Sequence, residues 1–337
     1  MPFDRFMELA LYDPHAGYFA ASPNLRSEAR GDFLTSPEIS PLFGETLAGF
    51  VDAEADRVGG LDTLVEVGAG SGSLLGPLLG ALTRLPGTVY AVEVSPAAVA
   101  RLGTHVAGAT VVGALVEVAR TPSAVVIANE LIDNLPAAVA VRRGAGWAEQ
   151  VVGLSDGVLR LDERPARPEI AGWADAYAGP VGEGAIVEVQ MAAQHWVAEA
   201  LGRFDTGAVA VIDYGETADG LAHRRAQGTI RTYRSHHLGP DPLLAPGETD
   251  ITMDVNFTAL QAAAEAAGAG VTLERQDDFL ARWGLRVALS ELRNRELAAA
   301  RSGDAMHRLR LRSQITGAEA LVHPRGLGDF RVMVARK

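Results

Sequence analysis

The segment "TLVEVGAGSGSLLGPLL", residues 63–79, constrains this chain more than any other stretch. A β-branched apolar run, Thr63–Val67, enters glycines at 68, 70 and 72 and then a leucine-rich helical pattern. Without a Cβ, glycine reaches left-handed backbone cheaply and lets the chain approach a ligand closely. The helix that follows aims its first amides at the same place. A strand, a tight turn and a helix in this order belong to a parallel α/β sheet, in which ligands sit beyond the carboxyl ends of the strands.

The rest of the chain repeats that rhythm, so the expected fold class is α/β with a largely parallel sheet. Further candidate strands are Val89–Val94, Thr110–Val112, Ala124–Ala128 and Ala208–Asp213, with helical patterns at Leu74–Thr83, Pro96–Gly103 and His195–Phe204. Two stretches depart from it. Residues 1–60 carry turn signals at "DPHAGY" and "TSPEISP" and a helical run from Pro41 to Val58. After Pro136, "AVAVRR", "WAEQVVGL" and "GVLRL" are separated by Gly/Asp turns and read as an antiparallel meander, followed by the Pro-rich "DERPARPEI". The expected division is a cap over 1–60, a cofactor-binding domain over 61–136 and 207–337, and an insertion over 137–206. The C-terminal part holds a polar loop, a helix near Thr258–Ala267, a helical pair and a final strand "FRVMVAR", which in a hairpin would close the sheet.

Composition removes several function classes. Cysteine is absent, which excludes disulfides, thiolate nucleophiles and thiolate metal sites. Formal charge is −12 and no lysine–arginine block offers a phosphate-tracking stripe, so nucleic acid is not the expected partner. Lys337 is the only lysine, and the many arginines accompany an alanine- and glycine-rich composition, so surface arginines carry little functional information. No apolar run approaches the roughly 18 residues of a membrane span. The N-terminal stretch lacks a basic segment followed by an apolar one, so a cytoplasmic location is expected. His236 and His237 are adjacent, their side chains diverge and no third ligand has useful spacing, so no metal site is expected. The dispersed Trp147, Trp173, Trp196 and Trp283 read as packing residues.

The glycine loop carries a ligand signature of its own. Its spacing is G-x-G-x-G, with Ser73 where the dinucleotide fingerprint wants a third glycine. Glu66, two residues before the first glycine, would repel a pyrophosphate but suits an ammonium. S-adenosyl-L-methionine carries an ammonium and a sulfonium, and so fits better than NAD. Glu93 ends the second strand about twenty residues later, where a carboxylate accepts both ribose hydroxyls. Expected cofactor contacts are Glu66, Gly68, Ala69, Gly70, Gly72, Glu93 and Val94, with adenine against Gly113–Leu115. The bland alternative is a tight turn with no ligand.

Across the switch in strand order from the glycine loop lies the fourth strand, which ends in "ANELIDNLP". Glu130 and Asp133 fall one helical turn apart, which puts both carboxylates on one side. Asn129 precedes them. "IDYG" ends the fifth strand and brings Asp213 and Tyr214 to the same region, where Asp213 reads equally well as a buried turn cap. Asp250 and Thr252 could shape the pocket or enter a helix. "GDFLTSPEIS" (Gly31–Ser40) reads either as a loop over the cofactor, with Thr35, Ser36 and Glu38 in contact, or as a turn and helix cap.

The segments "FMELALYDPHAGYF", "GDFLTSPEISPLFGE", "LVEVGAGSGSL", "ANELIDNLP" and "AVIDYG" closely resemble the MidA-type S-adenosylmethionine-dependent methyltransferases, and "LVHPRGLGDFRVMV" extends the match nearly to the end of the chain. That family includes a mitochondrial assembly factor that dimethylates an arginine on a respiratory complex I subunit. The resemblance implies a Rossmann-like, seven-stranded methyltransferase sheet with an N-terminal helical and loop segment and an antiparallel insertion after the fourth strand. It also implies S-adenosyl-L-methionine as cofactor and a protein arginine as acceptor, clamped by Glu130 and Asp133 as catalytic residues. Asn129, Asp213, Tyr214, Asp250 and Thr252 would then bind substrate. The expected partner is an arginine-bearing protein, with a homodimer as a further option. The alternatives are a small-molecule N- or O-methyltransferase and a cofactor-binding assembly factor without turnover. The sequence departs from relatives at Ala69 and Ser71 in the loop, and at Asp254 and Asn256, where relatives carry histidine and aspartate.

Overall fold

The computed structural model of the protein describes residues 1–21, 35–234 and 237–337. The first four strands are β1 (Thr63–Val67), β2 (Thr88–Val92), β3 (Thr110–Val112) and β4 (Thr121–Asn129). An antiparallel group follows: β5 (Ala138–Arg143), β6 (Gly146–Ser155), β7 (Val158–Pro165) and β8 (Ile186–Val189). Next comes β9 (Phe204–Asp213). Short pieces are β10 (Gly215–Glu216), β11 (Arg231–Arg234), β12 (His237–Leu238), β13 (Asp250–Thr252) and β14 (Val255–Asn256), and the chain ends with β15 (Gly270–Arg275) and β16 (Arg331–Arg336).

The main sheet has seven strands in the order β15-β16-β9-β4-β1-β2-β3. β1 pairs parallel with β2 on one side and β4 on the other, and β4 pairs parallel with β9. Only β16 runs against its neighbours, in the closing hairpin expected from the sequence. The strand order reverses between β1 and β4, which opens a crevice at their carboxyl ends. β1 is buried at all five positions, as a parallel strand covered on both faces must be.

One face packs on the helices Leu42–Val58 and Leu75–Ala81, with Phe43, Leu47 and Phe50 fully buried. The other face takes the helices Met191–Leu201 and Phe257–Ala266 through Trp196, Val197 and Leu260. The four-stranded sheet β7-β6-β5-β8 stands apart, backed by the helix Pro168–Tyr177 on one face and by the N-terminal helix Phe3–Tyr12 on the other.

Two details differ from expectation. The helix expected over His195–Phe204 runs over Met191–Leu201, and Phe204 already belongs to β9. Because that helix packs on the main sheet, the antiparallel unit ends near Val189, short of residue 206. The Pro-rich "DERPARPEI" splits between the end of β7 and a helix whose first residue is Pro168, a position where proline's missing N–H costs nothing. Among the described residues no helix is long and apolar enough to cross a membrane. His236 lies outside the described residues, and of His237 only the backbone is described.

Candidate functional site

A cavity opens at the crevice between β1 and β4, lined by residues from the ends of both strands and of β2. The loop after β1 forms its floor. Gly68, Gly70 and Gly72 have φ of 74°, 53° and 83°, a left-handed backbone that other residues rarely adopt. Gly68, Ala69 and Gly70 line the cavity, together with Ser71 and Ser73. Gly72 does not: a Cβ there would lie 2.6 Å from Val106 Cγ2, so its role is to let the end of the helix Pro96–His105 pack against the loop.

Two carboxylates give the cavity its character. Glu66 is buried, and its Oε2 has no hydrogen-bond partner among the described residues. Burial pushes its carboxyl well above the usual range, and the nearby Glu93 carboxylate adds to the effect. A lone carboxylate oxygen in such a wall is compensated by a cation. Glu93 accepts Gly70 N–H at 2.8 Å and Ser95 N–H at 2.7 Å, so it ties the glycine loop to the end of β2. Each of its oxygens keeps a second lone pair for a hydroxyl. These donor and acceptor types fit S-adenosyl-L-methionine: an acid for the ammonium, an acid for the ribose and a loop with little side-chain bulk.

The remaining cofactor candidates divide. Val94 and Thr35 line the cavity; Ser36 does not. Its N–H donates to Glu130 Oε1 at 3.1 Å, and its Oγ accepts from Gln276. Thr35 and Glu38 form a capping box at the start of the helix Ser36–Ile39, so the "TSPEIS" segment is both a helix cap and a cavity wall. Gly31–Leu34 lie outside the described residues. None of Gly113–Leu115, the expected adenine contacts, lines the cavity, and Leu115 is buried in the core. Ser95 and Ala98 line it beyond Glu93. Sequence reading missed Tyr12, Tyr18 and Phe19, which reach the cavity from the N-terminal segment as an aromatic group with Phe19 5.0 Å from Tyr12 and 5.5 Å from Tyr18. The "LYDPHAGYF" aromatics were the available signal.

Glu130 and Thr35 also line a second cleft of about 430 Å³, together with Asp133, Tyr214, Tyr233, Asp250 and Thr252. Glu130 therefore forms part of the wall between the two spaces. It has φ of 49°, and Asp156 is the only other non-glycine residue with a positive φ among the described residues. Left-handed backbone at a non-glycine residue costs about 1–3 kcal/mol and persists only where its surroundings hold it. Here Glu130 N–H donates to Ile212 O at 2.8 Å, and its carboxylate accepts from Ser36 N–H and from Asn129 Nδ2 at 3.3 Å. Burial raises the Glu130 carboxyl to about 8; the Ser36 N–H opposes this and the Asp133 carboxylate reinforces it.

Asp133 sits on the 3-10 turn Ile132–Asn134, and the Tyr214 hydroxyl donates to its Oδ2. Burial and Asp133 hold the Tyr214 phenol well above its ordinary value, so it stays a donor. Asn134 Nδ2 donates to Asp250 Oδ1 at 3.0 Å and to Ile251 O at 2.9 Å, which fixes β13 against the turn. Asn129 lines the cofactor cavity rather than the second cleft. Asp213 touches neither. It is fully buried, and its Oδ2 accepts Ile132 N–H at 3.0 Å and Asp133 N–H at 3.3 Å while Oδ1 accepts Tyr214 N–H at 2.9 Å. The expected substrate contact is thus a carboxylate that positions the acidic turn, the alternative open in the sequence.

Comparison with known proteins bears on the cavity directly. Residues 53–274 match the family described as "Putative S-adenosyl-L-methionine-dependent methyltransferase". The chain belongs to this family. A protein from Burkholderia thailandensis described as a "likely methyl transferase", solved with S-adenosyl-homocysteine bound, is 31% identical with a TM-score of 0.87, over 100% of this chain and 88% of that one. Two curated relatives are the mitochondrial protein arginine methyltransferases NDUFAF7 of Danio rerio and Homo sapiens. The first is 29% identical over 76% of this chain and 67% of its own length, the second 27% over 96% and 77%. The methyltransferase uses S-adenosyl-L-methionine as its cofactor. The mitochondrial names of these relatives overturn the cytoplasmic expectation. That expectation rested on the lack of a secretory leader, which does not separate the cytoplasm from other compartments without such leaders.

Proposed function

We propose that this methyltransferase transfers a methyl group to an arginine guanidinium on a protein partner. The observation that carries the reading is the position of Glu130, in contact with both the cofactor cavity and a cleft that also holds Asp133 and Asp250. An acidic cleft opening on the cofactor cavity suits a cationic nitrogen acceptor. The relatives named as protein arginine methyltransferases narrow that acceptor to arginine.

S-adenosyl-L-methionine supplies an electrophilic methyl group when bound, with Glu66 toward its ammonium and Glu93 toward its ribose. The chain's own residues then bind and orient the acceptor. A guanidinium is charged at all accessible pH, and a paired carboxylate fork binds it in two directions at once. An arriving cation also favours the ionised form of Glu130, which burial otherwise disfavours. With charge drawn toward the nitrogens held by Asp133, the nitrogen nearer the cofactor cavity has more electron density to form its bond to the methyl carbon as the carbon–sulfur bond breaks. Glu130 accepts the proton released there. Most of the rate gain is positioning and electrostatics.

The departures at Asp254 and Asn256 do not weaken this reading. Neither residue lines the acidic cleft; Asn256 caps the helix Phe257–Ala266 and donates to Tyr177 O at 2.8 Å. The test is incubation of the purified protein with methyl-labelled cofactor and cell lysate. Label on protein arginine supports the proposal, and label confined to the small-molecule fraction rejects it.

A further inference from the structure

The acidic cleft does not open directly to bulk solvent on every side. Tyr214 and Tyr233 line it, and the same two tyrosines line a third space of about 630 Å³ with the opposite chemistry. Arg224, Arg231 and Arg325 converge there, with Asp254 and Asp329. The balance of charge in that outer cleft is not neutral in effect. Asp254 is taken by Arg231, which donates to its Oδ1, and by Arg224 at 3.8 Å. Asp329 is taken by Arg275 and by Arg331. Both carboxylates are thus already committed, whereas the exposed Arg325 side chain makes no ion pair among the described residues and Arg224 is held only loosely.

The cations are fixed in place by more than their charges. The Arg231 guanidinium lies 5.2 Å from the centre of the Tyr214 ring, the ring whose hydroxyl donates to Asp133. A single tyrosine therefore has a carboxylate at its hydroxyl end and an arginine on its ring, one facing each cleft. Asp254 supports this arrangement by its ion pair to the Arg231 guanidinium. With a carboxylate there, Arg231 is held against the Tyr214 ring by an ion pair as well as by the ring itself.

From this juxtaposition we infer that the outer cleft binds an acidic side chain of the protein substrate, close in sequence to the methylated arginine. The proposal rests on the arginine reading above. A guanidinium in the inner, acidic cleft and a carboxylate in the outer, basic one give complementary ends to one extended segment. Such charge complementarity selects among partners more than it adds raw affinity.

Arginine-centred peptides test it, each with one position within about four residues of the arginine set to Glu, Gln or Lys. The wild-type protein is expected to show kcat/KM about ten-fold higher for Glu than for Gln at one position, carried by KM. Arg325→Glu and Arg224→Glu should abolish that preference and favour Lys there, and Arg325→Gln should abolish it without the reversal. Arg310→Glu, on the remote helix Ala305–Leu321, makes the same change in net charge and should keep the wild-type preference. Cofactor affinity measured on every variant reports whether the fold is intact. Methylation of the peptides with no acidic preference, or with one that survives all three cleft variants, overturns the inference and leaves the arginine reading standing. Transfer to no peptide or protein arginine overturns both. Preferential transfer to small anionic amines overturns the choice of a protein segment as occupant.

Discussion

The turns that end β1 and β4 face each other across the crevice and solve the same geometric problem in opposite ways. After β1 the chain turns through three left-handed glycines, and the backbone itself becomes the binding surface. After β4 the left-handed position is occupied by Glu130, and the surface is made of carboxylates. The glycine loop is unstrained and takes its support from one neighbour, the end of β2. There Val92 O accepts from Gly68 and Ala69 N–H, and Glu93 accepts from Gly70 N–H. The acidic turn needs a great deal: Ile212 O and Ser36 N–H for Glu130, Tyr214 for Asp133, and Asp213 for the backbone of both Ile132 and Asp133. The binding turn is local in sequence and the acidic turn is assembled from distant segments, which predicts different responses to mutation.

The first contrast separates binding from folding within the glycine loop. At Gly70 an added Cβ meets nothing within 4 Å, but the backbone is left-handed and the residue lines the cavity. Gly70→Val should lower cofactor affinity by roughly 100-fold, through strain of about 1–3 kcal/mol and a side chain in the ligand's space. Gly72→Val meets Val106 and Leu102 instead. It should cost about 2–4 kcal/mol of stability and show mainly as a lower Tm. Calorimetric titration and thermal melts on both variants check this. Equal losses of affinity in the two would erase the distinction between a lining glycine and a packing one.

Glu130→Gln comes next. It keeps the shape and removes the proton acceptor, so kcat should fall by roughly 10²–10⁴-fold while cofactor affinity changes little. Collapse of cofactor binding in this variant would show that Glu130 serves the cofactor side of the wall it shares. The pH dependence follows from the same residue. Because its folded carboxyl titrates near 8 rather than at the ordinary 4.5, kcat/KM should rise with pH through about 8, and Glu130→Gln should lose that limb. For stability the sign is opposite. Between 4.5 and about 8 the folded state holds a proton that the unfolded chain has released, so this group's contribution to stability declines as pH rises across that window. Urea midpoints of wild type and Glu130→Gln across the window measure it.

These contrasts also mark what the sequence could reveal. The glycine spacing, Glu66 and Glu93 were legible as neighbours in one cavity wall because their geometry is set within a strand and its turn. The sheet was legible for the same reason, as parallel strands buried on both faces carry continuous apolar runs. Asp213 was ambiguous because its function is to accept three amides from two segments that meet only in the folded chain. Gly72 looked like its neighbours, since nothing local says which glycine faces a ligand and which faces Val106. Tyr12, Tyr18 and Phe19 reach the cavity from the cap, and no pattern near the glycine loop announces them. The helix Met191–Leu201 was misplaced because its alanine-rich pattern runs on toward β9 through "ALGRFDTG", where Gly202 is an ordinary helix end and Phe204 starts the strand.

Asp213 offers the next test in size. Asp213→Ala leaves two N–H groups of the turn and that of Tyr214 without their acceptor, and should cost about 3 kcal/mol. Transfer should fall as the turn loosens, while cofactor affinity at a temperature where the variant is folded stays near that of the wild type. A change in acceptor KM with unchanged stability would instead put Asp213 in direct contact with substrate.

The smallest effects concern Ser36, whose backbone rather than side chain reaches Glu130. Ser36→Ala keeps the N–H and removes only a hydroxyl that accepts a 3.5 Å contact from Gln276, so transfer should stay within about two-fold of wild type. Ser36→Pro removes the N–H itself. Proline is well tolerated at the first residue of a helix, and Thr35 is already extended, as a residue before proline prefers. The deleted bond is one of those that hold the Glu130 carboxyl down against burial. Ser36→Pro should therefore move the pH limb of kcat/KM upward and leave the plateau rate close to wild type. An unshifted limb would mean that the distant support of the acidic turn does not include this amide, and would narrow the contrast with the glycine loop to Asp213 and Tyr214.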